Sequence, residues 1–400
     1  MVKAKFIITA TVCTMLSPAM AQSVADFYTE TWENGVTRNV VEDYNADGTD
    51  ALDDSAAFQR AIDELTQKKN GGKLMVPTGT YYLYKVALKS NVHLAFEKDV
   101  VLRPLPRGGF LFTAGMGNDT VENVSFRGID GKVTADFREM SPDTKVTVIN
   151  LQNVDNFLIR NMRTLDNFTV HSSIRMNVAD TDQGARFARN GFVSDIDNTN
   201  AHVGYGTIQV NAGKNILFQN ISGSGGVQLR LESGANFKGE IEGSIFDIVG
   251  RNISGSNGNA VVMISPHCRK NGLVDIDGVT SHSSVHAVRV DIGDTKNGPT
   301  PGYFDSNSRV SNVKAFYGTT AQLKHGHFRW IPPELKSQIS RQKNPDGSSY
   351  SGPAAAAIKY TCGGTGPGTF KVKLENIEQI GFEYQPKKIL TPADEFRKGR

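Results

Sequence analysis

From residue 121 onward a short pattern returns along the chain: apolar, any, apolar, any, Asn or Gly, apolar. It reads Val124 to Ile129, Phe157 to Met162, Ile216 to Ile221, Ile248 to Ile253, Val274 to Val279 and Val372 to Ile377. A degenerate copy runs from Phe192 to Ile196. Alternation with a period of two predicts strands with one apolar wall, and Asn or Gly tolerates the left-handed backbone of a sharp bend. From Ile129 through Met162, Ile196, Ile221 and Ile253 to Val279, the terminal residues lie 33, 34, 25, 32 and 26 apart. Such uneven spacing excludes a rigid helical repeat and suits stacked β-coils with turns of variable length. No propeller signature of four strands per repeat is visible. The pattern predicts an all-β chain, a right-handed parallel β-helix.

Ahead of the repeats the period changes. Ala57, Phe58, Ala61, Ile62 and Leu65 fall at helical spacing, which predicts a short amphipathic helix near 54–67 with Asp53 or Asp54 at its start. Asn70-Gly71-Gly72 ends it, and strands follow over 73–76 and 81–84. A helix burying one face at the start of a repeat array closes the open end of a solenoid. This segment resembles the N-terminal cap of the pectate-lyase-like β-helix superfamily. Beyond Asp294 the pattern thins. Asn297 to Gly302 reads as a loop, Val310 to Phe316 as a further coil, and 318–352 as an insertion beside the groove. The coils resume at Ala354 to Tyr360 and Phe370 to Ile380, and the basic end Arg397 to Arg400 reads as a frayed tail.

Composition places this architecture. Residues 1–21 carry Lys3 and Lys5, an apolar core from Phe6 to Leu16 and an Ala19-Met20-Ala21 cleavage site, the marks of a secretory signal peptide. No later apolar run is long enough to span a bilayer. The expectation is a secreted, monomeric protein with one β-helix domain over 22–400 and no membrane contact. Without Lys3 and Lys5 the chain has 42 basic against 41 acidic residues, a balance that argues against nucleic-acid binding. Cys268 and Cys362 are the two cysteines left after cleavage; sequence alone does not bring them together for a disulfide.

The candidate chemistry lies between Tyr205 and Asp291. Leu229 and Leu231 point inward on a strand, which turns Gln228, Arg230 and Glu232 outward. Gln209 precedes Glu232 by 23 residues and His267 follows it by 35, each close to one coil. Stacking would gather Gln209, Glu232 and His267 on one outer face. A carboxylic acid flanked by Arg, Gln and His points to glycosidic cleavage, with Glu232 as general acid. Gln209 would bind sugar or water, and His267 would orient the acid or a substrate group. Arg230 and Arg289 suit anionic substituents, and Asp291 shares the Arg289 face. Singly, each has a bland reading, since a Glu beside an Arg is usually a surface ion pair and a lone His a structural residue. Their recurrence on successive coils is what favours a site. His325-Gly326-His327 lacks a third metal ligand at useful spacing and reads as loop, so no metal is assigned.

The same segments resemble the iota-carrageenases, a β-helical glycoside hydrolase family. The matching runs include Gly204-Tyr205-Gly206, Ile208-Gln209, Leu229-Arg230-Leu231-Glu232, Pro266-His267, Lys270-Asn271-Gly272, Ala287-Val288-Arg289 and Asp291. The resemblance implies inverting endo-hydrolysis of a β-1,4 bond in sulfated red-algal galactan, with Glu232 as acid and Gln209 and His267 in support; Tyr205, Arg230, Lys270 and Arg289 are the residues expected to bind substrate. It implies no required cofactor, leaving room for a structural cation or chloride. The chain departs from the family where an aspartate two residues after the acid acts as base, because that position is Gly234. Asp291, Glu240 and Glu242 are the alternative carboxylates for activating water. Two other classes stay open: a polysaccharide lyase with His267 or Lys270 as base, told apart by unsaturated product ends, and a β-helix that binds polysaccharide without cutting it.

Overall fold

The computed structural model describes residues 22–33, 35–234 and 244–396. The expected signal peptide, Glu240, Glu242 and the basic tail lie outside the described residues. Within them the chain winds as a right-handed parallel β-helix. One continuous sheet joins 22 strands, and all of its strand pairs are parallel. Pairing between coils is in register over long stretches, as between Arg189–Val210 and Gly213–Glu232.

The Asn and Gly positions of the repeat mark the bends. Asn161, Asn220, Asn252 and Asn376 have φ between 52° and 56°, and Gly278 has φ 78°. A second bend lies five residues earlier on successive coils, at Asn123, Asn156, Asn190, Asn215 and Asp247. Asn tolerates this left-handed backbone because its short amide bonds locally. Here the amides also bond between coils: Asn156 donates to Asn123 Oδ1 at 2.8 Å, and Asn215 to Asn190 Oδ1 at 2.9 Å. Each ladder rung satisfies polar groups that a bend takes out of the strand pairing.

The helix Ser55–Thr66 closes the first coil. Its Phe58 is fully buried and packs edge-on against Tyr81 and Phe112. Asp53 accepts the Ser55 amide at 2.9 Å. Asp54 instead accepts the Asp47 and Tyr82 amides and ties the helix to the coil. Ahead of the helix, residues 26–29 lie along an outer wall. Thr29 exchanges two hydrogen bonds with Asn156, while Phe27 and Tyr28 cover Leu158, Phe192 and Leu217.

The expected insertion is ordered. It holds a hairpin pairing Ala321–Leu323 with Tyr350–Gly352, and the 3₁₀ turns His325–Trp330 and Pro333–Gln338. Trp330, Ile331 and Leu335 seat it on Val285, Ala355 and Ala356. That apolar seat fixes a polar rim beside the outer face that carries Glu232. Cys268 and Cys362 are both free thiols, and Cys362 lies in the core.

Candidate active site

Strand alternation does what the sequence predicts for Leu229 and Leu231, both fully buried in the interior, and turns Arg230 and Glu232 outward. Parallel register then sets their neighbours. Gln209 pairs with Arg230, Arg230 with Met263, Met263 with Arg289 and Arg289 with Lys359. Gln209 therefore stands under Arg230 and reaches Glu232 diagonally, donating from Nε2 to Oε2 at 3.3 Å. The residue in register with Glu232 on the next coil is Ser265, not His267.

His267 arrives by another route. The strand Ala260–Ser265 has ended, and His267 adopts φ 45°, a left-handed kink that carries its imidazole back over the preceding coil. Nε2 lies 3.2 Å from Glu232 Oε1, and Nδ1 lies 2.9 Å from Asp294 Oδ2. Arg230 Nη2 sits 2.5 Å from Glu232 Oε2. Burial alone would raise the Glu232 carboxyl, but the Arg230 charge and the His267 hydrogen bond outweigh it and bring it down to about 2. The hydrogen bond to Glu232 raises His267 in turn, against the effect of its own burial. The site is thus a carboxylate held by a guanidinium on one oxygen and by an imidazole on the other.

A cleft of about 680 Å³ runs along this face past Glu232, His267, Arg289, Asp291, Asp294 and Lys359, with Lys324, His327 and Arg329 of the insertion on its rim. It continues past Glu232 into a second hollow lined by His171, Arg175, Tyr205 and Gln209. Glu232 and His267 line both, so they stand where the two hollows adjoin. Tyr205 contacts the His171 and His202 rings, and the Arg230 guanidinium lies 5.9 Å from its centroid. The channel suits an extended anionic chain, with cations on both sides of the acid.

Two expected residues sit differently. Lys270 is exposed in the turn after His267, bridged to Tyr303, and does not line the channel. Asp291 does line the channel, but Arg289 Nη2 donates to one of its oxygens at 2.8 Å and Lys359 Nζ to the other at 2.7 Å. Those cations hold the carboxyl far below its usual range despite burial. A carboxylate so engaged is a poor base for water, so that expectation does not fit the geometry. Arg289 is likewise occupied by Asp291 and by Asn259 Oδ1 at 2.7 Å. Sequence reasoning did not find Asp294, Lys359 or Arg175. Arg175 pairs in register with Gln209, a link visible only once the coils are stacked.

At Gly234 a left-handed φ of 73° coincides with crowding: a Cβ there would lie 2.9 Å from Arg269 Cγ. The space that a side chain would need is filled by Arg269 and Cys268. Among the described residues no group of three His, Cys, Asp or Glu side chains converges as a metal site. Nor is any described helix long and apolar enough to cross a membrane.

No family model matches the chain. An iota-carrageenase from Alteromonas macleodii is 32% identical, with 92% of this chain aligned to 88% of the relative. One from Zobellia galactanivorans is also 32% identical, over 90% of this chain and 86% of the relative. A solved 1,3-α-1,4-β-D-galactose-4-sulfate-3,6-anhydro-D-galactose-2-sulfate 4 galactohydrolase superposes with TM-score 0.87 at 31% identity, covering 96% of both chains. An iota-carrageenase complexed to iota-carrageenan fragments gives 0.86 at 30%, again over 96% of each. A polygalacturonase from Erwinia carotovora, at 14% identity and TM-score 0.54, shares the fold alone.

Proposed function

Because the chain belongs to the iota-carrageenase family, we propose that this carrageenan-degrading glycoside hydrolase is a secreted, monomeric enzyme that cuts β-1,4 linkages within sulfated galactan, with inversion and with Glu232 as general acid. The observation that carries the reading is the position of Glu232 where the two cation-lined hollows adjoin, clasped by Arg230, Gln209 and His267.

An acid must hold a proton, and beside Arg230 and His267 the Glu232 carboxyl is ionised near neutral pH. Substrate reverses this. A sulfate that engages Arg230 draws the guanidinium's charge from the carboxylate and adds its own negative charge nearby. Both changes push the Glu232 carboxyl upward, towards the range of a proton donor. His267 stores the proton meanwhile on Nε2, within hydrogen-bonding reach of Oε1. Gln209 holds the carboxyl in place through Oε2. Arg175 lines the channel on one side of Glu232, ready for a further sulfate, Arg289 and Lys359 add positive charge on the other side while they hold Asp291, and Tyr205 offers a ring face to a sugar. Protonation of the leaving oxygen by a positioned acid accounts for about 10²–10⁴ of rate.

Incubation with iota-, kappa- and less sulfated carrageenans, read as new reducing ends, tests the activity. Proton NMR of the first anomer formed tests inversion. Glu232→Gln should lose about 10³-fold or more in kcat; full activity in that variant removes Glu232 from the acid role. Unsaturated product ends would indicate elimination. Binding with no product would mark a β-helix that keeps its carbohydrate surface without the chemistry, the outcome that Gly234 makes specific.

A further inference from the structure

The family's base position is glycine here, its side-chain space is filled by Arg269, and Asp291 has both oxygens bound by cations. Among the described residues one other carboxylate, through His267, is joined to the acid. Asp294 accepts from His267 Nδ1 at 2.9 Å, while His267 Nε2 faces Glu232 Oε1 at 3.2 Å. Laid across an imidazole, those two contacts put the carboxylates about 8 Å apart, inside the roughly 6.5–9.5 Å that an inverting pair needs to admit water. The backbone fixes the arrangement, since the Asp294 amide donates to the His267 carbonyl at 2.8 Å and Asp294 Oδ1 accepts the Lys296 amide at 2.9 Å. The Asp294 side chain is 42% exposed, against 10% for Glu232, so water reaches the first and the sugar linkage meets the second in a drier place.

We propose that Asp294 is the water-activating base of this enzyme and that His267, through Nε2, reprotonates Glu232 between turnovers. The proposal rests on the hydrolase reading above. In the chemical step the Glu232 carboxyl proton passes to the leaving oxygen as the glycosidic C–O bond breaks. A water oxygen forms the new bond to the anomeric carbon from the opposite face, and its proton passes to the Asp294 carboxylate. The step ends with Asp294 protonated and Glu232 ionised, the reverse of the starting state. Nδ1 stays protonated on Asp294 throughout, so the reset runs through Nε2 and solvent: Nε2 gives its proton to Glu232 and regains one from water, while the exposed Asp294 releases its proton to water. Electrons and protons balance, and no co-reactant beyond water is needed.

The experiment uses the mature protein on iota-carrageenan, wild type first. A wild type that releases no reducing ends overturns both the hydrolase reading and this proposal. With an active wild type, Asp294→Ala and Asp294→Asn should each lower kcat at least 100-fold while KM moves less than threefold. Sodium azide should restore Asp294→Ala at least tenfold, taking the place of the activated water and giving a galactosyl azide of inverted configuration. Asp294→Asn keeps an oxygen for His267 and separates orientation from base chemistry, and it carries the kcat and KM readouts if the alanine variant does not fold. Either variant retaining more than a tenth of wild-type kcat, or an inactive, folded Asp294→Ala that azide does not rescue, overturns the role of Asp294 and leaves the hydrolase reading standing.

Discussion

His267 touches Glu232 although the two are out of register. Ser265 occupies the paired position, and the imidazole reaches the carboxylate through a left-handed turn two residues later. The contact on this wall thus depends on a turn as much as on the stacking of strands. The turn supplies a partner that leans over the channel, which a side chain rising straight from a strand cannot do.

Replacing that partner should expose its effect. In His267→Ala the Glu232 carboxyl loses the hydrogen bond and charge that help hold it near 2 and rises. We expect kcat to fall about 10²-fold with the fold intact, because the stored proton and its return path go together. Steady-state kinetics beside a circular-dichroism spectrum checks this; unchanged kcat would leave His267 a structural role only.

Arg230 should behave differently. Arg230→Met keeps much of the side-chain volume and removes the charge closest to Glu232. KM for sulfated substrate should rise about tenfold, the loss of one charge-assisted contact worth about 1.5 kcal/mol, and its dependence on NaCl should flatten. KM measured across a salt series decides it. An Arg230 that merely pairs with Glu232 would leave the salt dependence unaltered.

The Arg289–Asp291–Lys359 cluster makes a prediction about stability. Asp291→Asn strands two largely buried cations, which should cost about 3–5 kcal/mol, visible as a lower urea midpoint. A midpoint within experimental error of wild type would mean that the cations find solvent or other partners.

Stability should also have a pH window set by this site. Glu232 is lowered from 4.5 to about 2, so its contribution is complete above pH 4.5 and is lost as pH falls towards 2. His267 is raised above 6.5, so its contribution is complete below 6.5 and is lost as pH rises through the elevated value. The two together favour a plateau between about pH 5 and 6.5. Urea midpoints across pH should show it, and Glu232→Gln should remove the acid flank and shrink the alkaline one, where Asp294 still raises His267. A wild-type profile with no fall on either side would contradict the pairing.

Local rules carried much of this protein into its sequence. Alternation determined that Leu229 and Leu231 face inward and that Arg230 and Glu232 face the channel. The recurring Asn marked the left-handed bends at Asn161, Asn220 and Asn252, and the 3.6-residue period marked the capping helix. These features depend on a few neighbouring residues, so a linear reading reaches them. Tertiary structure alone decided which coil sits on which and how far each turn carries its side chains. It set Gln209 beneath Arg230, brought Lys359 from 68 residues away to occupy Asp291, aimed Lys270 outward and joined Asp294 to Glu232 through one imidazole. Turn lengths that vary from coil to coil fix those meetings, and spacing along the chain does not encode where an irregular turn points its side chains.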